Sequence, residues 1–471
     1  MKKIAVFCLC LLFLITFLCF PASVSAQSVS AEDVQSAVSS CHSLDANTAL
    51  LGGTQLVDNV KAAILFEANS QTLMYAWNAD EQMYPASLVK IMTALIAVEK
   101  GNLSDAVIVS ESAVAAVPYD AVSAELQPGE QLTLEDLLHC LLVGSANDAA
   151  VVIAEHISGS HSAFVQEMNS YASDLGCTGT NFTNAHGLHD DAQYTTARDA
   201  ARILYRAIQN DIFKTVFTAT KFTVSATNKS EERSLESGNF LRDTSSKLYY
   251  DARVIGGRTG VTEDGRRCLA AAAESNSMLL ISVVMGAESV YQEDGYSAVS
   301  IGGYKETSAL LDAGFTGYKS AQVLYSNQTL RQYTVANGEC DVVVGPQVSV
   351  STVLPESVSF ADLSFRYGDA QLVAPVEIGQ KVTDVEIWHG NMCVAQTELF
   401  ALNSVRQATQ ESEAVTEGSF DQGGMLALWI ALAVVGIILI AIIGLRAARW
   451  IRKLLLKRRS KQYRRSRRRS R

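Results

Sequence analysis

Two apolar runs, one near each end of the chain, confine where anything can fold. Met425 to Leu445 is 21 residues without a charge, about 32 Å as a helix and enough to cross the hydrocarbon core of a bilayer. Arg446, Arg449, Arg452 and Lys453 follow at once, and positive charge marks the cytoplasmic side. A buried core helix is excluded by that length and by the basic run beside it. At the other end, Met1-Lys2-Lys3, the apolar run Ile4 to Phe20 and then Val24-Ser25-Ala26 read as a signal peptide over 1–26, cleaved after Ala26. Cys19 follows Phe17-Leu18 rather than a small residue, which argues against a lipoprotein. The two readings agree. Residues 27–424 are expected outside the cell membrane, held by a single-pass transmembrane helix over 425–445, with 446–471 as a basic cytoplasmic tail whose low-complexity end, Lys457 to Arg471, is expected to stay disordered against anionic lipid.

Charge follows the same division. The tail holds 14 Lys and Arg and no acid, and Lys2 and Lys3 are the only charges before residue 32. What remains is 22 basic residues against 49 acids, a formal charge of about −27 on the exported part. Such a surface repels phosphate backbones, so no nucleic-acid partner is expected. Six cysteines survive removal of the signal: Cys41, Cys140, Cys177, Cys268, Cys340 and Cys393. They are scattered, and Cys140 and Cys268 sit in apolar surroundings that favour buried thiols. No disulfide is predicted. No C-x-x-C or H-x-x-x-H spacing points to a metal, and no cofactor is expected.

The exported part divides by pattern. Residues 27–56 are a polar lead-in arm. Lys61 to Phe66 and Gln71 to Tyr75 form a hairpin turning at Glu67 to Ser70. Thr133-Leu134-Glu135-Asp136 carries a capping box ahead of a very apolar helix that Gly144 stops. Ser145 then opens a further helix as its N-cap, with Asp148 as partner. Residues 197–209 are an amphipathic helix. Leu269 to Ala273 and Met278 to Met285 pair as antiparallel strands across a turn at Glu274 to Ser277. Strands at both ends with helices between define an α+β domain whose sheet joins its terminal strands, residues 57–318. Short strands between Gly, Asn and Pro turns make a small all-β domain over 319–403. A Gln-, Glu-, Ser- and Gly-rich linker, 404–424, leads to the membrane.

Chemistry enters at Tyr84-Pro85-Ala86-Ser87-Leu88-Val89-Lys90-Ile91-Met92. Proline at a helix start gives up only an amide that has no partner anyway, so Ser87 lies in the first turn. Lys90, three residues on, shares its face. A serine is inert until a base takes its proton, and a desolvated lysine is such a base. Two further stretches join this pair. Ser145-Ala146-Asn147 begins a helix after a glycine, and Arg258-Thr259-Gly260 opens a strand after Gly256-Gly257. Ser145 is there either a helix cap or a proton carrier. His186 and His189 tempt toward a Ser-His site, but no third group is visible and both read as structural.

The order S-x-x-K, S-x-N and then a basic residue with Thr-Gly is the signature of penicillin-binding proteins and class A β-lactamases. The wording around the motifs, Pro85 to Leu95, Ser145 to Ala150, Asn184-Ala185-His186-Gly187-Leu188-His189-Asp190 and Tyr249-Tyr250-Asp251 through Gly260, resembles the serine-type D-alanyl-D-alanine carboxypeptidases of peptidase family S11, the low-molecular-mass penicillin-binding proteins. The likeness covers about 57–318, and Ala374 to Gln380 resembles that family's C-terminal β domain.

The resemblance implies a β-lactamase/transpeptidase-like catalytic domain. In it Ser87 is the nucleophile, Lys90 the general base and Ser145 a proton relay. Asn147, Arg258, Thr259, Gly260 and Val261 bind substrate, with the amides of Ser87 and Val261 as the oxyanion hole. The implied partners are the peptidoglycan stem peptide ending in D-Ala-D-Ala, β-lactams as covalent inhibitors, and the cytoplasmic membrane. Two departures stand out. Arg258 occupies a position where the family has lysine, and no arginine lies between Arg267 and Arg331, where the family carries one for the substrate carboxylate. A receptor that binds without turnover is the competing reading. A β-lactamase is weaker, because no E-x-x-x-N pattern lies between the second and third motifs.

Overall fold

The computed structural model describes residues 38–39, 44–46, 49–52, 55–291 and 298–408, with scattered helical positions between 432 and 449. The expected signal peptide, Cys41, most of the linker and the basic tail beyond residue 449 lie outside the described residues. So does much of the expected membrane span, and no helix among the described residues is long and apolar enough to cross a membrane.

The predicted hairpin is present as β1 (Ala62–Glu67) and β2 (Thr72–Trp77). Ser87 sits in a 3-10 turn, Ala86–Leu88, that runs into α1 (Val89–Lys100) and ends at Gly101. α2 (Leu134–Leu142) starts on the predicted capping box of Thr133 and Asp136, and α3 (Asn147–Ser158) follows. α4 (His161–Asp174), α5 (Ala197–Ile208) and α6 (Asp211–Thr218) complete a helical half. The chain then returns to the sheet as β3 (Val254–Val261), β4 (Arg267–Ser275) and β5 (Met278–Ala287), and α7 (Tyr304–Thr316) closes this part.

The sheet runs β2-β1-β5-β4-β3, all antiparallel, with the last-made strand β5 pairing the first-made strand β1. Its first and last strands thus zip together, as the sequence pattern required. β5 is buried at all ten positions, because helices cover both faces. On one face Ile64, Phe66, Ile281 and Val283 join α1, α2, α3 and α5 in one apolar cluster; on the other, Leu65, Leu269, Leu280 and Val284 pack with Tyr304, Leu310 and Phe315 of α7. α1 runs through the middle with ten of its twelve residues buried.

Beyond α7 the predicted β layer appears. β6 (Tyr318–Leu324) pairs β9 (Val350–Pro355), and β7 (Arg331–Tyr333), β8 (Val342–Gly345), β12 (Met392–Ala401), β11 (Lys381–His389) and β10 (Leu363–Tyr367) form a sheet in that order. It has its own core, including Val344, Val385, Ile387 and Leu399. Val38–Ser39 of the lead-in arm adds a strand on β12. One compact unit ends at Ala408, and a second begins at Thr409.

Two expectations are corrected. Cys393 is disulfide-bonded, against the expectation of no disulfide, because spacing along the chain does not show which cysteines the fold brings together. Cys140, Cys177 and Cys268 are buried free thiols and Cys340 an exposed one. Ser145 is not a helix cap. Its φ is +62°, Ala146 holds the cap position with no side-chain bond, and Ser145 turns its hydroxyl elsewhere.

Candidate active site

The cleft lies where the Ser87 turn, the α2–α3 junction and β3 converge. Its volume is about 440 Å³, and Ser87, Ser145, Asn147, Thr259, Gly260 and Val261 line it. Lys90 and Arg258 stand behind these, 0% and 6% exposed. The three separated stretches are therefore one constellation.

Close approach of backbones makes the site. A Cβ on Gly260 would stand 2.8 Å from both the Ser87 amide nitrogen and the Ala86 Cβ, and one on Gly187, at φ +86°, would stand 2.1 Å from the Ala86 carbonyl oxygen. Glycine at both positions lets β3 and the 184–190 loop press against the turn that carries Ser87. Ala86 itself takes φ +47°, a strained value for a residue with a side chain.

Lys90 has three partners. Its Nζ lies 3.1 Å from Ser87 Oγ, 2.7 Å from Asn147 Oδ1 and 2.5 Å from the His186 carbonyl oxygen. Burial, and then the positive charge of Arg258, hold the amine well below the usual lysine range, against the pull of Asp148. A neutral amine has two N–H donors and one lone pair. Donation to Asn147 and His186 leaves the lone pair facing Ser87 Oγ. Asn147 is fixed in turn, because its Nδ2 donates to the Val122 carbonyl at 2.9 Å.

Asp148, expected to support a cap, instead anchors the opposite lip. It accepts from Ser123 Oγ at 2.6 Å and from the amides of Ala124 and Leu126 at 2.9 and 3.0 Å. Arg258 spans the two halves of the fold. Its Nη1 donates to the Leu142 carbonyl at the end of α2 at 3.0 Å, and its Nη2 donates to Ser145 Oγ. Burial brings this guanidinium down to about 10, which leaves it charged at neutral pH. With Arg258 as donor, Ser145 Oγ is an acceptor there and keeps its own proton for the cleft.

The two histidines are placed differently. His186 Nδ1 accepts from the Leu188 amide at 3.1 Å, and burial, then the charges of Lys90 and His161, push its pKa down to about 3. His189 sits at the rim against Tyr84, with Asp191 and Glu263 at 3.3 and 3.1 Å from its Nε2. Sequence reasoning missed the His186 carbonyl as a ligand of Lys90. The glycine after it was the available sign, since a backbone that must approach another closely needs one.

Comparison with known proteins bears on this geometry. Residues 54–289 match the model of the D-alanyl-D-alanine carboxypeptidase family, Peptidase_S11. The chain is 31% identical to the D-alanyl-D-alanine carboxypeptidase DacA of Haemophilus influenzae, covering 90% of this chain and 98% of that one. It is 28% identical to the D-alanyl-D-alanine carboxypeptidase DacF of Bacillus subtilis, covering 75% and 88%. Among solved structures, penicillin-binding protein 5 of Haemophilus influenzae is similar at a TM-score of 0.64 and 31% identity, covering 75% of this chain and all of that one.

Proposed function

This chain belongs to the D-alanyl-D-alanine carboxypeptidase family, and from that we infer that it is a serine enzyme that removes the terminal D-alanine from peptidoglycan stem peptides. The observation that carries the reading is the Lys90 amine, buried and presented to Ser87 Oγ at 3.1 Å.

Ser87 Oγ attacks the carbonyl between the two terminal D-alanines, and Lys90 Nζ takes its proton. The amides of Ser87 and Val261 receive the oxyanion, an interaction typically worth about 2.7–4 kcal/mol for each donor lost. The carbon–nitrogen bond then breaks. Ser145, which still holds its proton, passes it to the departing amine of D-alanine and is reloaded from Lys90. Water attacks the remaining ester, freeing the shortened peptide and restoring Ser87. Penicillin presents a similar amide and carboxylate and acylates the same oxygen. The membrane is the second partner in this reading. Residues 425–445 anchor the chain, with the catalytic domain on the extracytoplasmic side.

The test is release of D-alanine from a synthetic peptide ending in D-Ala-D-Ala by the purified full chain. Wild type releases D-alanine and is labelled by a fluorescent penicillin, while Ser87→Ala does neither. Labelling without release would favour the receptor reading, and folded wild type with neither property would sink the proposal.

A further inference from the structure

A carboxypeptidase must recognise a free terminal carboxylate, and the cations at this cleft are unequally available for that task. Lys90 is committed to Ser87, Asn147 and His186. Both terminal nitrogens of Arg258 are spent on Leu142 and Ser145, on the helical side of β3. Arg266 pairs with Asp264 and Glu288.

Arg267 differs. Its Nε is buried without a partner, as the Nε of Arg258 also is, but among the described residues its terminal nitrogens make no hydrogen bond or ion pair either. In the antiparallel pairing of β3 and β4 it stands opposite Val261, while Thr259 stands opposite Leu269. Residues alternate faces along a strand, so Thr259, Val261, Arg267 and Leu269 share the face that packs against Tyr304, away from the face of Arg258. Thr259 and Arg267 are diagonal neighbours, a separation of about 7–8 Å between backbones that a long side chain bridges. The phenol of Tyr304 lies near both. Its hydroxyl donates to the Gly238 carbonyl at 3.2 Å, and Thr259 and Arg267 both interact with it.

We propose that Arg267, with the Thr259 hydroxyl, receives the terminal carboxylate of the substrate, and that Arg258 instead positions Ser145. The inference rests on the carboxypeptidase reading. An unpaired guanidinium in a half-buried place is costly until an anion arrives, and a carboxylate suits its planar fork. Two arginines on neighbouring strands thereby divide work on opposite faces of one sheet.

The experiment compares D-alanine release from a D-Ala-D-Ala peptide and from its C-terminal amide, in wild type, Arg267→Ala and Arg267→Lys. Arg267→Ala is expected to lose about 10–100-fold in kcat/KM on the free acid, the usual worth of a hydrogen bond to a charged group. It should lose little on the amide, so that the acid-over-amide preference collapses. Arg267→Lys should recover part of that preference. Labelling of Ser87 by a fluorophosphonate, which has no carboxylate, checks that the nucleophile and fold survive. An unchanged acid-over-amide preference in Arg267→Ala, with labelling intact, would overturn the assignment. So would equal losses on both peptides. Absence of release by wild type would instead count against the carboxypeptidase reading itself.

Discussion

At the scale of single residues, the site is governed by how two buried cations act on one another. Lys90 must be neutral to take a proton from Ser87, so activity is lost as pH falls through its pKa. That pKa lies well below 10.5, first through burial and then through Arg258. Arg258→Gln removes the second cause. The Lys90 amine then binds its proton more tightly, and the acid limb of kcat/KM against pH moves to higher pH. Arg258→Lys keeps the charge and leaves that limb in place, although turnover falls because one ammonium does not reproduce the two-pronged contact with Leu142 and Ser145. A pH–rate profile of the three proteins is the measurement. A limb that stays put in Arg258→Gln would mean that desolvation alone sets the Lys90 pKa.

At the scale of elements, catalytic geometry depends on β3 and the Ser87 turn touching backbone to backbone. Gly260→Ala puts a carbon 2.8 Å from the Ser87 amide nitrogen, so strand and turn must part by a few tenths of an ångström or more. A misplacement approaching 1 Å costs on the order of 100-fold in rate. The expected outcome is a fall in kcat/KM of roughly that size, with a melting temperature little changed, since the sheet's core on β5 is untouched. Kinetics and thermal melting of the same variant read both. The elements were largely legible beforehand: the hairpin, the capping box at Thr133, the helix over 197–209 and the β4–β5 pair follow from local periodicity and turn chemistry. The 3-10 turn at Ser87 and the positive φ of Ser145 were not, because they are imposed by neighbours distant in sequence.

At the scale of the whole molecule, an acidic stretch is followed by a charge-free run and a strongly basic tail. A 21-residue apolar segment buries enough surface that detachment by high pH, which strips peripheral proteins, is not expected. Alkaline carbonate extraction of membranes carrying the full chain should leave it in the pellet, and Ile430→Glu with Val435→Glu should move it to the supernatant. Recovery of wild type in the supernatant would rule out a spanning helix. The two-part architecture before it follows from one topological fact. β1 pairs with β5, made some 200 residues later, so the helical segment between them is closed off, and the β layer after α7 builds a core of its own.

What the amino-acid sequence determined by itself was whatever depends on near neighbours: the helix that sets Lys90 one turn after Ser87, the caps, the strand periods, and the three short motifs. Contacts across long separations were decided by the tertiary structure alone. They include the His186 carbonyl on Lys90 and the diversion of Arg258 to Leu142 and Ser145. The physical reason is that a side chain's partners in a buried site are set by which backbones pack together. That packing is a property of the whole sheet and its helices, and no window of sequence contains it.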